Sequence, residues 1–417
     1  MTYDLIVVGG GAAGLMAAVV AAERGKQVLL LEKMDQAGRK LRITGKGRCN
    51  LTNTAPLKDF LSHVGSDSRF LRNCMSQFYN AELMDFFEQR GVHLVEERGG
   101  RVFPQSGRSL DIFLALIGDL EQRSNVEIRK NCTVVDIDTY VGDDGMRHVC
   151  GVSLKGGAHI AGGRVLVATG GLSYPTTGST GSGYRWAEDM GHTVVKQVPS
   201  LVALRCAEPI PPELVGFVLK NVALHVTDAE GREVCEYFGE MSFSDDGLCG
   251  PIVLSTSRMV SRRLHDGETL TARIDLKPAV AAAELDKRLI SDLNGNGARI
   301  FNDALRLWLP AELIPLALKR MHIEYYKRLN QINGQERRRL LSFLKGVEFT
   351  LSGTRDYDEA IVTQGGVSLK EVNPKTMESR LVHGLHFAGE VLDLDADTGG
   401  YNLQIAFSTA VAAARAV

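Results

Sequence analysis

A chain of 417 residues exceeds one ordinary domain; two or three are expected, with length enough for large cores. Apolar residues make up 44% and charged residues 24%, the balance of a globular protein rather than a disordered one. A formal charge of −2 argues against a nucleic-acid partner or an anionic membrane, and seven scattered cysteines without C-x-x-C or metal-ligand spacing exclude a disulfide framework.

Taken in order, Asp4–Val8 is an apolar run ending in Gly9-Gly10-Gly11, the pattern of a buried parallel strand. Ala12–Arg24 is helical in composition and stops at Gly25, and Gln27–Glu32 is a second strand, so the chain opens with a βαβ unit. A polar loop rich in Gly and Arg runs from Gly38 to Asn53. Helical patterns cover Phe70–Gln89 and Leu110–Arg123, and strand patterns cover Val126–Asp138, His148–Leu154 and Arg164–Ala168. The character changes near Thr193: alternating segments such as Val222–Val226 and Thr271–Asp275 predict a small antiparallel sheet or barrel. Ala279–Leu344 reads as consecutive helices broken at Asn294–Gly297 and Pro310. After about Thr354 the α/β pattern returns, with a strand at Leu385–Ala388 and a terminal helix at Tyr401–Ala416. The longest apolar stretch, Ala12–Ala22, is short of a membrane span, and no signal-peptide pattern opens the sequence, so a cytoplasmic protein is expected.

Three motifs carry chemistry. Gly9, Gly11 and Gly14 form Gly-x-Gly-x-x-Gly between strand and helix, and Glu32 ends the second strand 18 residues beyond Gly14. The glycines permit a tight turn, close backbone approach to a pyrophosphate and close helix packing, while Glu32 suits ribose hydroxyls and disfavours a 2′-phosphate. The loop Gly38–Asn50 carries five cations, Arg39, Lys40, Arg42, Lys46 and Arg48, placed to neutralise a pyrophosphate. Far away in sequence, Gly389-Glu390, Asp393 and Gly399-Gly400-Tyr401-Asn402-Leu403-Gln404 join a strand to the last helix. This third motif suits the ribityl chain and second phosphate of FAD, with the helix start facing the flavin pyrimidine. The three together point to FAD rather than NAD.

The stretches GGGAAGL (9–15), GRKLRITGKGRCNLTN (38–53), RVFPQSGRS (101–109), ATGGLSYPTTGSTGSGY (168–184), TQGGVSLKEVNPKTMES (363–379) and FAGEVLDLDADTGGYNLQIAFS (387–408) resemble the BaiN/aminoacetone-oxidase-like family of bacterial NAD(P)/FAD-dependent flavoproteins. The resemblance implies an α/β, glutathione-reductase-like FAD-binding domain of Rossmann type, interrupted by an inserted β-barrel-like domain and a helical insert domain. The expected divisions are 1–192 and 355–417 for the FAD domain, 193–278 with a return strand at 343–354 for the barrel, and 279–342 for the helices. It further implies FAD contacts at Ala13, Glu32, Arg39, Lys40, Gly45, Arg48, Gly389 and Glu390, the Val134 backbone near adenine, and the loop before Asn402. With their neighbours Ala12, Lys33, Asn50, Gly170, Asp393, Gly400, Tyr401 and Leu403, these complete the expected cofactor-binding set. Cys249 departs from the small Ser or Thr expected in Gly247–Pro251.

No Ser-His-Asp order, HExxH or P-loop is present, so the chemistry is expected to come from non-covalently bound FAD. Cys49 reads as a small packed residue, Gly178–Gly183 as a loop opening a helix, and Arg337-Arg338-Arg339 as a solvated helix face. His383 and His386 are candidate acid/base groups, His386 being better read as packed in its strand. The leading expectation is hydride transfer through flavin N5 from NAD(P)H, a transient donor because only one dinucleotide motif is present, to a small organic acceptor. Alternatives are an oxidase of a small amine or aminoketone that makes hydrogen peroxide, and a flavin-binding sensor or interaction protein. The substrate, the catalytic residues and the oligomeric state are not legible.

Overall fold

The two apolar runs at the head of the chain lie side by side in a five-stranded parallel sheet. Its order is Leu385–Phe387, Val165–Val167, Leu5–Val8, Val28–Leu31 and Val126–Arg129. The structure, a computed structural model, describes residues 3–65 and 67–417. Every residue of Leu5–Val8 and Val28–Leu31 is buried, as in a parallel sheet covered on both faces, so alternation is lost. The first helix, Ala12–Glu23, buries Ala13–Ala22 on all sides, and its alanines let the last helix, Tyr401–Arg415, pack closely against it. The chain's two ends are thereby built into one layer.

The chain divides into two units, 1–199 with 357–417, and 200–356. The first division falls after Pro199 rather than at 193. The reason is that Val194–Ser200 pairs with Val362–Val367, so its leading residues belong with the α/β unit. In the second unit six strands close a barrel in the order Leu204–Cys206, Gly247–Cys249, Glu233–Phe243, Val218–Thr227, Leu270–Asp275 and Val347–Thr354. Helix Pro251–His265, which the sequence pattern did not show, packs on Glu233–Phe243. Leu285, Leu289, Phe301, Trp308, Leu340 and Phe343 of the helical segment share one core with barrel residues Leu224, Phe243 and Phe349. Barrel and helices therefore form one unit, not two independent domains.

Three local expectations are corrected. Phe70–Gln89 is broken into Ser68–Leu71, Arg72–Met75 and Asn80–Glu88. Val126–Asp138 is two strands, Val126–Arg129 in the parallel sheet and Val134–Val141 in an antiparallel one. The basic loop is partly helical, at Arg39–Ile43. No helix among the described residues is long and apolar enough to cross a membrane.

Candidate functional site

The glycine turn leaves the first helix with a bare N-terminus. No side chain caps Gly11 and no acidic residue lies in the first turn, so the N–H groups of Ala12, Ala13 and Gly14 are free to meet an anion. A Cβ on Gly14 would overlap the Gly9 carbonyl oxygen, which is why only glycine closes this turn. A Cβ on Gly11 would meet no protein atom within 4 Å, so the space over the helix mouth is open. Beside it the buried Glu32 carboxylate accepts the Gly10 N–H and the Met34 N–H, each at 2.8 Å. Each oxygen keeps a lone pair for a further donor. The Cys132 N–H donates to the Glu32 carbonyl at 2.9 Å, which sets Val134 two residues beyond this contact.

The basic loop spends its charges differently from the expectation of a row of free cations. Lys40 Nζ lies 2.6 Å from Glu390 Oε2 and 2.5 Å from Ser173 Oγ, and Glu390 Oε1 accepts from Ser173 at 2.6 Å and from the Thr363 N–H at 2.9 Å. Two residues from distant motifs, both expected to contact the cofactor, thus hold each other. Arg39 is 3.8 Å from Asp35, and Arg48 stacks over Phe103 and pairs with Glu97. Lys33 donates to Thr180 at 2.7 Å, and burial lowers its pKa. Gly45 and Lys46 take left-handed conformations and turn the chain back, and Asn50 follows with a buried Oδ1 that has no hydrogen-bond partner. Cys49 is fully buried and its pKa is pushed up to about 12 by desolvation, so it stays a packed thiol.

The distant C-terminal motif closes over the same place. A Cβ on Gly389 would come within 3.0 Å of the Ala13 Cβ, setting this turn against the first helical turn. Gly389 donates its N–H to Thr409 Oγ1 at 3.0 Å, and the Asp393 N–H donates to the Val367 carbonyl. Gly400, at φ 97°, abuts Thr52 so closely that a Cβ would overlap its carbonyl. Thr52 donates to Gln404 at 2.5 Å, and Asn53 donates to the Gly399 carbonyl at 3.1 Å, tying the basic loop to the last helix. The start of that helix has no side-chain cap. Asn402 instead secures the preceding loop: its Nδ2 donates to the Ala396 and Asp397 carbonyls and its Oδ1 accepts the Ala396 N–H. Leu403 is half-buried beside it, and Tyr401 is buried, its ring stacked on His63 at 4.5 Å between centroids.

His63 went unnoticed in the sequence. Its Nδ1 is 2.8 Å from Asp397 Oδ2, across 334 positions, and nothing in the local sequence signals that pairing. Gly170 sits between the halves, where a Cβ would approach Ser179 and Glu390, and the neighbouring Thr169 Oγ1 is buried without a partner. Among the other sequence candidates, Gly178–Gly183 borders these residues: Thr180 accepts from Lys33, and Ser179 lies beside Gly170. His383 pairs with Glu378, and His386 is buried with Nδ1 donating to the Thr376 carbonyl. Gly178–Gly183 leads into helix Ser182–Asp189, and Cys249 contacts Ser242 in the barrel. Arg337–Arg339 is not simply solvated: Arg337 pairs with Asp286, and Arg339 holds the Met321 and His322 carbonyls.

The residues present fit a dinucleotide. An uncapped helix start, open space over Gly11 and a doubly anchored acid at the second strand form one cradle, and Asn50, on the basic loop, keeps a buried Oδ1 without a partner. With the parallel sheet beneath, this defines an FAD-dependent oxidoreductase with a Rossmann-type domain. The profile described as HI0933-like protein Rossmann domain matches residues 3–416, and the chain belongs to that family. It is 33% identical to the 3-dehydro-bile acid delta(4,6)-reductase of Clostridium scindens, covering 98% of each chain. It is 30% identical to the ribosomal RNA dihydrouridine synthase of Escherichia coli, covering 99% of this chain and 97% of that protein. Its fold is similar to that of the 3-ketosteroid delta1-dehydrogenase of Sterolibacterium denitrificans, with TM-score 0.53, 14% identity and 99% of both chains covered.

Proposed function

We propose that the chain is a reductase that saturates a carbon–carbon double bond conjugated with a carbonyl group, drawing its electrons from NADH or NADPH. The observation that carries this reading is a reaction shared by two full-length relatives. A delta(4,6)-reductase and a dihydrouridine synthase differ in substrate, but both names describe adding two hydrogens across a ring double bond. FAD, when bound, supplies the hydride equivalent. Among the described residues there is one cradle of this kind, so a pyridine nucleotide binds without a domain of its own. The Ala12–Gly14 N–H groups and Glu32 hold the AMP half, and Asn50 and the Gly399–Leu403 backbone orient the other. Saturation also requires a proton at the carbon next to the carbonyl. We assign that delivery to His63, which is 41% exposed, held by Asp397 and stacked on Tyr401 at the start of the last helix.

Anaerobic titration with NADH and NADPH tests the reading. Bleaching of the flavin, followed by reoxidation with a 3-oxo-4,6-diene steroid acid or a uridine-bearing oligonucleotide, is expected. Hydrogen peroxide formed from an amine or aminoketone, with no bleaching by either nucleotide, would establish an oxidase instead.

A further inference from the structure

We propose that the second unit carries a docking surface for single-stranded RNA, centred on an open basic cleft between helices Ile314–Met321 and Gly334–Lys345 and strands Leu270–Asp275 and Val347–Thr354. This names the substrate class of the reductase reading and rests on that reading for the reaction, but not for the docking.

The cleft, of about 650 Å³, is lined by Arg273, Arg320, Arg338, Arg339 and Lys345, with Glu348 as the only carboxylate among its lining residues. The near-neutral chain conceals this concentration: between Lys319 and Lys345 there are eight Lys and Arg residues against two Glu. The cations divide by task. Lys345 is fixed to Asp275 and to the Lys277 and Val280 carbonyls, and Arg339 to the Met321 and His322 carbonyls, so these two build the walls. Arg273 and Arg338 are exposed, and neither has a carboxylate within ion-pair distance among the described residues. Arg320 is half-buried, lies over Phe349 and donates to the Glu348 carbonyl; burial disfavours its charge, and Glu208 and Glu348 only partly restore it. An anion entering the cleft would meet two unpaired guanidiniums and one under-compensated one.

Aromatic side chains supply the second half of the argument. Tyr326 is 72% exposed and Tyr325 45%, their rings 4.7 Å apart, in the segment that leaves Met321 of the cleft. Four and five residues separate them from Met321, at most roughly 13 to 18 Å of chain. Exposed phenol rings within a few residues of a wall of guanidiniums form a combination that binds unpaired bases, the cations meeting phosphates and the rings stacking on bases. A free phosphate or a lipid headgroup would use the arginines but leave both rings idle, which favours a nucleic-acid strand.

Fluorescence anisotropy of the full-length holoprotein with a 5′-fluorescein-labelled, uridine-containing 20-nucleotide single-stranded RNA tests the surface. Arg273→Glu/Arg338→Glu is expected to weaken binding by about tenfold or more and to reduce the slope of log affinity against log salt by about 1.4, for two lost phosphate contacts on a single strand. Tyr326→Ala is expected to weaken binding about fivefold or more through lost stacking. Arg338→Lys should retain most of the affinity. Both residues altered in the double variant are exposed, so its flavin content and melting temperature serve as controls for folding. Equal affinity of wild type and double variant, or binding to phosphatidylglycerol vesicles without RNA binding, would overturn the proposal. RNA that binds through this surface but is never reduced leaves the docking standing and removes only RNA as the acceptor in the reductase reading.

Discussion

Lys40 and Glu390, 350 positions apart, meet at 2.6 Å and lock the basic loop to the turn before the last helix. Each side chain is about one-fifth exposed, and Ser173 bridges both. Lys40→Met leaves Glu390 with only the Ser173 hydroxyl and the Thr363 N–H, and Glu390→Gln leaves Lys40 with Ser173. Each single change is expected to cost about 1–3 kcal/mol, discounted for partial exposure from what a fully buried pair would lose. That is roughly 2–4 °C in Tm per kcal/mol for a unit of this size. The double variant should lose less than the sum, by about 1 kcal/mol. Additive losses in thermal melts would show that the two charges are not coupled.

Gly11 and Gly14 separate cofactor room from chain packing. A Cβ at Gly11 meets no protein atom, and the residue has φ −82°, so Gly11→Ala should leave the apoprotein's melting temperature nearly unchanged. Its methyl group would fill the space reserved for pyrophosphate, so FAD affinity should fall by at least about tenfold, as for any overpacked contact of about 1–3 kcal/mol. At Gly14 the Cβ would strike the Gly9 carbonyl, so Gly14→Ala should destabilise the apoprotein itself. Calorimetry of the two apoproteins, with FAD titrations, distinguishes them. An unchanged FAD affinity in Gly11→Ala would place the pyrophosphate elsewhere.

Glu32→Gln is expected to lower FAD affinity by about one to two orders of magnitude, the value of a charge-assisted hydrogen bond of roughly 1.5–3 kcal/mol. The structure adds a second effect. Both carboxylate oxygens already accept backbone N–H groups, so a glutamine must turn its amide nitrogen toward the Gly10 or the Met34 donor. Apoprotein stability should therefore fall as well. FMN, which lacks the adenosine ribose, should be weakened less than FAD; equal losses for the two would remove Glu32 from the ribose.

Much of the cradle was legible because its residues act through the backbone. Gly9-x-Gly11-x-x-Gly14 dictates a turn and a helix start whatever surrounds them, and the strand after it ends at Glu32 by hydrophobic pattern alone. The sequence could not show that Lys40 is paired, since its partner is 350 residues away, nor that the Asn402 side chain secures the loop at Ala396 and Asp397. His63 was invisible for the same reason. In the second unit, alternation suggested a barrel, but helix Pro251–His265 was missed, because its polar stretch Ser255–Arg258 interrupts the apolar face. The near-neutral total charge likewise masked the local run of cations from Lys319 to Lys345.

Two buried histidines predict how stability depends on pH. His192, whose Nε2 is 2.8 Å from Ser379 Oγ, and His386, whose Nε2 has no hydrogen-bond partner, both have pKa values lowered by burial. The charged groups facing them are Glu371 for His192, and Glu378, Arg164 and His383 for His386. With folded pKa values below the unfolded value near 6.5, the unfolded chain binds more protons on the acid side. Stability is therefore full above about pH 6.5 and falls as pH drops below it, by at most about 1.4 kcal/mol per pH unit for each histidine. Thermal melts between pH 7.5 and 5.5 should show this decline, and His386→Met should flatten it. An identical slope in that variant would mean that His386 does not titrate on unfolding.

The last helix offers its uncapped start to whatever lies before Tyr401, and reduced flavin carries negative charge at N1 and the C2 carbonyl at neutral pH. If that edge faces the helix start, a fixed negative charge in the first turn should destabilise the reduced form. Asn402→Asp introduces one but also loses the two amide N–H bonds to the Ala396 and Asp397 carbonyls. Asn402→Ser loses the same donors without the charge, so the difference between the two variants isolates electrostatics. A charge at a helix N-terminus contributes about 0.3–2 kcal/mol, and about 30 mV corresponds to 1.4 kcal/mol for a two-electron couple. The flavin midpoint potential of Asn402→Asp should therefore lie up to a few tens of millivolts below that of Asn402→Ser, with FAD content held equal. Coincident potentials would show that the helix start does not face the pyrimidine, and the C-terminal motif would then serve only to hold Thr52, Asn53 and the loop at Ala396.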